Sequence, residues 1–212
     1  MPRSKVISFD MEGTLVTPQF SNKVWHEGVP RLYAEQLGIS FEEALSLLHQ
    51  QYDEVGDQRQ EWYDIHYWFQ RFGLSHPERL LAEYTREVAV YPDVKDTLYR
   101  LGQTRPLIVT SSSARDFLRI MTAAIGDSFG RVFSTISDCG QLKSDAFYQM
   151  VCHQMNVSPD ELAHVGDHRE FDFLIPRHVG IEAFHLDRTG TATGEHVVKD
   201  LQEFEARLAE LD

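Results

Sequence analysis

The sequence predicts an α/β protein: a parallel sheet covered by helices on both faces and interrupted after its first strand by a helical insertion. Three observations carry this. One short apolar run opens the chain and ends at an acid followed by a glycine. The next stretch, from about residue 22 to 88, follows helical spacing without a strand-like run. From Tyr91 onward, short apolar runs alternate with amphipathic stretches. Parallel strands need crossover connections, which are right-handed and place helices on both faces of the sheet.

Each element follows from its residues. Val6-Ile7-Ser8-Phe9 is a buried strand that runs into a tight loop at Asp10 and Gly13. Phe41, Leu45, Leu48, Tyr52 and Val55 recur at three- and four-residue steps and so share one helix face. Trp62, Ile65, Phe69 and Phe72 form a second stripe, and Leu80, Tyr84 and Val88 a third. Gly28 and Pro30 should kink or split the helix before them. Beyond Tyr91-Pro92, helices are marked by Val94, Leu98 and Leu101, by Phe117, Met121 and Ala124, and by Phe147, Val151 and Met155. Strands are expected at 106–110, 131–136, 162–165 and 181–186, with a short helical stretch to Val179. Val197, Leu201, Phe204, Leu208 and Leu211 close the chain as an amphipathic helix. The domain expectation is a core of residues 1–15 and 91–212 and a helical cap of residues 16–90.

Composition narrows the function. At roughly 150 residues per domain, 212 residues make one large domain or two unequal ones. The chain is 42% hydrophobic and 11% aromatic, enough for a core and against disorder. It carries 20 basic and 33 acidic residues, a net charge of −13, with no Lys/Arg-rich run. That balance argues against nucleic-acid and anionic-membrane partners, which need basic patches, but leaves room for a small phosphorylated ligand held by a few local cations. The two cysteines, Cys139 and Cys152, form no CxxC pair, which disfavours a disulfide scaffold or a zinc knuckle. No apolar run is long enough for a signal peptide or a membrane span. A reducing cytoplasm is the expected setting, with the protein a monomer or homodimer.

In an open parallel sheet the ligand crevice lies at the carboxyl ends of the strands, so the polar residues just past each apolar run carry the chemistry. Asp10 stands two residues before a second acid, Glu12, and then a glycine turn, an arrangement suited to covalent catalysis with proton transfer, although an aspartate there can also simply cap a turn. Two adjacent carboxylates repel and need a cation or a raised pKa. Asp167 and Asp172 sit five apart across a strand-to-helix turn and can face one point, which suits an oxygen-ligated cation such as Mg2+; an aspartate is also a common helix N-cap. Thr110 ends a strand and Ser111 follows it, and their hydroxyls could hold a phosphate or cap the next helix. Lys143 belongs to the same sheet edge, and its position alone distinguishes it from a solvated lysine.

Taken together, these residues resemble the haloacid dehalogenase superfamily, in the subfamily whose helical cap follows the first strand. Asp10-Met-Glu12-Gly13-Thr14-Leu15 is similar to the first motif, DxDGT-L/V, except at the second acid. Thr110 stands at the hydroxyl motif, with Ser111 where the family often has Asn. Lys143 stands at the lysine motif, followed by Ser144 rather than Pro. Asp167 and Asp172 match VGDxxxxD. The resemblance covers essentially the whole chain. It implies a Rossmann-like core and a Mg2+-dependent phosphatase acting on a small phosphorylated metabolite. Asp10 would be the nucleophile that becomes an aspartyl-phosphate, and Glu12 the acid/base. The metal would be held by Asp10, Asp167 and the Glu12 main-chain carbonyl, with Asp172 ordering its outer shell, and Thr110, Ser111 and Lys143 would bind the phosphoryl oxygens.

Glu12 is the informative departure. The family's phosphatases normally carry Asp there and its dehalogenases and phosphonatases no acid, so a glutamate favours ester hydrolysis with the carboxyl one methylene further out. Other superfamily activities, a phosphosugar mutase or a dehalogenase, remain alternatives, as does a weakly catalytic regulatory or binding member. Pro176 should shorten the helix after Asp172. His164 and His168 straddle a strand-to-turn junction and read as structural or solvated rather than as a metal pair. The run Trp62-Tyr63 to Tyr67-Trp68-Phe69 reads mainly as helix-bundle core with some members lining a cleft, and Arg59 as a candidate substrate contact.

Overall fold

In a computed structural model of the protein, residues 4–211 are described. The first three residues of the expected 1–15 segment, and Asp212 at the end of the 91–212 segment, lie outside the described residues. Six parallel strands form one sheet: β1 (Val6–Phe9), β2 (Leu107–Ser111), β3 (Arg131–Ser134), β4 (Leu162–Gly166), β5 (Glu182–Leu186) and β6 (Val197–Val198). Their spatial order is β3-β2-β1-β4-β5-β6. The order reverses between β1 and β4, the switch point where such sheets open a crevice. Phe9 pairs with Val109 on one side and Val165 on the other, so Asp10, Thr110 and Gly166 reach the same sheet edge.

Side chains alternate across the sheet. Ile7, Phe9, Val109, Ala163 and Val165 face one core with Met121 and Phe204. Val6, Ile108 and Leu162 face another with Phe147, Tyr148 and Val151. Ser8, Thr110 and His164 alternate with Phe9, Val109 and Val165 and are also buried, which places a polar patch beneath the crevice end of the sheet.

Between β1 and β2 the chain is helical: α1 (Gln19–Lys23), α2 (Val29–Leu37), α3 (Phe41–Val55), α4 (Ile65–Arg71), α5 (Pro77–Tyr84) and α6 (Val94–Gly102). It leaves and returns through adjacent backbone, since Val16 bridges Val90 antiparallel and the Tyr91 N–H donates to the Leu15 carbonyl at 3.1 Å. The expected disturbance at Gly28 and Pro30 is a π-helical turn, Val24–Gly28, running straight into α2 with Pro30 in its first turn. Gly28 allows close packing, because a Cβ there would lie 2.7 Å from Leu80 and 2.8 Å from Tyr84. Phe41 is exposed and Leu45 half-buried, so the buried stripe of α3 is Ala44, Leu48, Tyr52 and Val55. Trp62 is not part of the α4 stripe: it belongs to a separate 3-10 turn, Gln60–Tyr63, because Asp64 caps α4 by accepting from the His66 N–H at 2.9 Å.

The rest of the core is covered by α7 (Arg115–Ile125), α8 (Asp145–Met155), α9 (Ile175–Val179) and α10 (Leu201–Leu211). Two expectations shift. Residues 135 and 136 leave β3 for a wide turn, Thr135–Cys139. Val197 opens the edge strand β6 rather than the last helix, because Val197-Val198 pairs with His185-Leu186 before α10 begins. Pro176 sits in the first turn of a five-residue α9, after the wide turn Arg169–Leu174. No helix among the described residues is long and apolar enough to cross a membrane.

Candidate active site

Backbone geometry assembles the site first. Gly13 has φ +79°, and a Cβ there would collide with the Asp167 carboxylate, so only glycine lets the loop after β1 close on the loop after β4. Gly166 plays the same part for Asp172, whose side chain occupies the space a Cβ would need. The Asp10 N–H donates to the Val165 carbonyl at 3.0 Å, which fixes Asp10 against β4. Arg188 holds the other end of this loop, donating to the Thr14 carbonyl at 2.7 Å while pairing with Asp93 at 3.2 Å.

The charges converge on one buried lysine. Lys143 is 3% exposed and donates to Asp10 Oδ1 at 2.7 Å and to Asp172 Oδ1. Burial opposes its charge, but Asp10 and Asp172 together hold its pKa above the ordinary lysine value. Burial alone would raise the Asp172 carboxyl; Lys143 and His164 reverse this and hold it below the usual carboxylate range. The Asp10 carboxyl is raised by burial and by Asp172, against the pull of Lys143. Asp167 is raised to about 8 by burial and then by the charges of Asp10 and Asp172. Each of Asp10, Asp167 and Asp172 offers a carboxylate oxygen within 4.8 Å of the others. Three such oxygens with one lysine among them remain short of positive charge, and oxygen-only donors fit a hard divalent cation.

Glu12 lies beside this cluster and is raised to about 7, mainly by burial and further by Asp10; a hydrogen bond from the Ser21 hydroxyl works in the opposite direction. A carboxyl titrating there can give and take a proton at neutral pH. Ser21 lies on α1, and nothing in its sequence context singled it out.

The expected residues divide by strand alternation. Asp10, Glu12, Ser111, Lys143, Asp167 and Asp172 line one cavity of about 260 Å³. Thr110 does not: it is fully buried, with its hydroxyl 2.8 Å from Ser8 Oγ and 3.4 Å from His164 Nδ1. Ser112 and Ser113 take the cavity side with Ser111. None of these hydroxyls caps α7, whose N-cap is Ala114. His164 is a buried hydrogen-bonded histidine, 3.2 Å from both Asp172 Oδ1 and the Tyr148 hydroxyl. It supports the acidic cluster from below, and its place in an otherwise apolar run was the available signal. His168 is exposed, and Arg59 is exposed and paired with Glu61 at 2.5 Å.

A second cavity, of about 210 Å³, joins the first and shares Glu12, Tyr63 and Ser113 with it. Its walls are Trp25, Tyr52, Trp62, Trp68 and Phe117, drawn from the helical insertion and from α7. Trp68 and Phe69 are core, as the aromatic run implied, while Trp62 and Tyr63 are half-buried on the cleft side.

Comparison with known proteins bears on the family and the fold. The sequence pattern of the haloacid dehalogenase-like hydrolases matches residues 4–180. A GMP/IMP nucleotidase, YrfG, of Escherichia coli (strain K12) is 34% identical over 69 residues, which are 32% of this chain and 31% of that protein. The match thus spans about a third of the curated relative's length. Among solved structures, an HAD phosphatase from Thermococcus onnurineus superposes with a TM-score of 0.85 and 25% identity over 96% of this chain and 97% of that one. A 2-haloacid dehalogenase from Pseudomonas syringae pv. Tomato DC3000 shares the fold, with a TM-score of 0.69 and 20% identity over 99% of this chain and 100% of that one.

Proposed function

The chain belongs to the haloacid dehalogenase-like hydrolases, and from that premise we propose that it is a Mg2+-dependent phosphatase that cleaves a small phosphorylated metabolite through an aspartyl-phosphate on Asp10. The observation that carries this reading is the pairing of Asp10 with a buried lysine on one side and Asp167 on the other, with a carboxyl titrating near neutrality alongside. Only an acid at Glu12 gives the leaving alcohol its proton, so this residue favours ester hydrolysis over dehalogenation.

Asp10 and Asp167, with the Glu12 main-chain carbonyl and support from Asp172, would hold the metal. The chemistry a bound Mg2+ supplies is charge neutralisation, without which a carboxylate cannot approach a phosphate dianion. Lys143 contributes a second fixed positive charge, and Ser111 and Ser112 supply hydroxyls for the phosphoryl oxygens. Asp10 attacks phosphorus as the ester oxygen departs with the proton of Glu12. Glu12, now ionised, takes a proton from water, whose oxygen attacks the phosphorus of the aspartyl-phosphate; phosphate leaves and Asp10 is restored. Residues 16–90 act in this reading as a cap over the core of 1–15 and 91–212, covering the site against bulk water. The two free cysteines, Cys139 and Cys152, suit a reducing cytoplasm.

The test is phosphate release from a panel of phosphate esters with and without Mg2+. The nucleotidase relative puts nucleoside monophosphates on that panel. Release that needs Mg2+ and vanishes in Asp10→Asn is expected. Release from no ester, or release untouched by Asp10→Asn, contradicts the reading.

A further inference from the structure

The cavity beside the acidic cluster has the composition of a leaving-group subsite, and the inference drawn from it rests on the phosphatase reading above. It opens from the carboxylate-lined cavity through Glu12, the residue that would protonate the departing oxygen, and through Tyr63 and Ser113. A group attached to the phosphoryl thus has a path past Glu12 into this space. This cavity, of about 210 Å³, adjoins the one of about 260 Å³ that holds the acids.

The walls disfavour an anionic leaving group. Among the described residues, no Lys or Arg lines the cavity. Its histidine, His26, is pushed below the ordinary value by burial and by His49, which disfavours its charged form. A carboxylate or a second phosphate there would be desolvated without a counter-charge, which costs affinity. What the cavity offers is aromatic surface held rigidly in place. The Trp25 and Phe117 rings stack 5.7 Å apart at 14°. Tyr52 meets Trp25 edge-on at 6.2 Å, Trp62 at 6.1 Å and Trp68 at 4.7 Å. Trp25 and Trp62 keep part of their surface uncovered, unlike Trp68. Preformed faces of this kind bind flat π-systems, with little rotamer freedom to lose.

We propose that this cavity takes a neutral, flat, aromatic leaving group, the nucleoside of a nucleoside 5′-monophosphate, with its base against the Trp25 and Trp62 faces. Ribose 5-phosphate is the matched control, because it keeps the phosphate and the sugar and lacks the base. With Mg2+ present, kcat/KM for the adenosine, guanosine, cytidine and uridine 5′-monophosphates is compared with that for ribose 5-phosphate and phosphoglycolate. At least one nucleotide should exceed ribose 5-phosphate by about tenfold or more, as loss of one base-stacking contact implies. In Trp62→Leu the ratio should fall toward one, and Trp62→Phe, which keeps a ring, should retain most of it. Independently of turnover, the same nucleotides should quench the tryptophan fluorescence of Asp10→Asn at lower concentration than ribose 5-phosphate perturbs it.

The outcomes separate the two readings. Cleavage of ribose 5-phosphate or phosphoglycolate as readily as of every nucleotide overturns the subsite and leaves the phosphatase intact. Cleavage of no ester, with nucleotide still bound by Asp10→Asn in preference to ribose 5-phosphate, contradicts the phosphatase and supports the subsite. Equal binding of all these ligands by Asp10→Asn, or a nucleotide preference undiminished in Trp62→Leu, overturns the subsite.

Discussion

Replacing Lys143 by Met should destabilise the metal-free protein in a pH-dependent way. The substitution keeps much of the side-chain volume and removes the charge shared by Asp10 and Asp172. All three side chains are buried, with exposures of 2% for Lys143, 10% for Asp10 and 2% for Asp172. Breaking a buried pair by removing one partner costs about 3–5 kcal/mol. For a chain of this size each kcal/mol is worth about 2–4 °C, so Tm should fall by roughly 6–20 °C. The pH dependence contributed by Asp172 differs in sign between the two proteins. In the wild type the Asp172 carboxyl sits below its unfolded value, so its contribution is present above that value and is lost as pH falls through the folded one. In Lys143→Met the carboxyls lie above their unfolded values, so stability is lost as pH rises through them. The gap between the proteins should therefore be wide at pH 8 and narrow at pH 5. Thermal melts followed by far-UV circular dichroism in EDTA measure it. A variant that melts within about 2 °C of the wild type at pH 8 would refute the view of Lys143 as the charge that makes this cluster tolerable.

Further predictions concern the metal, the glycines and the proton. Binding of Mg2+ should release about one proton at pH 7 and little at pH 9, because Asp167 titrates near 8 without metal; calorimetry in buffers of different ionisation enthalpy reads this, and proton-independent binding would count against Asp167 as a ligand. Gly13→Ala places a methyl group into the Asp167 carboxylate at a left-handed φ and should weaken Mg2+ about 10–100-fold; unchanged affinity in a calorimetric titration would show that the loop contact is dispensable. Ser21→Ala removes the hydrogen bond that lowers the Glu12 carboxyl, so the acid limb of the rate profile, which requires ionised Glu12 for attack of water, should move to higher pH. An unmoved limb would place the controlling proton elsewhere.

The sequence carried much of this arrangement because each strand ends at the same sheet edge. An apolar run followed by Asp, Ser or a Gly-Asp pair thus announced which residues would meet in the crevice, and six of the seven expected residues line one cavity. Thr110 shows where such reasoning fails: neighbours on a strand face opposite ways, and the register that turned Ser111 outward sent Thr110 to Ser8 and His164. The partners of the acids were less legible. Ser21 reaches Glu12 from the far side of a loop, and His164 reads as one polar residue inside an apolar strand; their contacts exist only once distant segments are packed. The two-residue β6 escaped because Val197 fits the stripe of α10 as well as it fits a strand. Trp62 followed helical spacing, yet the Asp64 cap starts α4 afresh and turns that ring toward the second cavity.

The central claim is that Asp10 carries the phosphoryl group between two half-reactions. It is tested most directly by acid-quenching the protein during turnover of its best ester with Mg2+ and mapping the phosphoryl adduct by mass spectrometry. A phosphoryl group on the peptide containing Asp10, absent from Asp10→Asn, is the predicted result. Steady phosphate release by Asp10→Asn at the wild-type rate, with no adduct on that peptide in the wild type, would contradict the account.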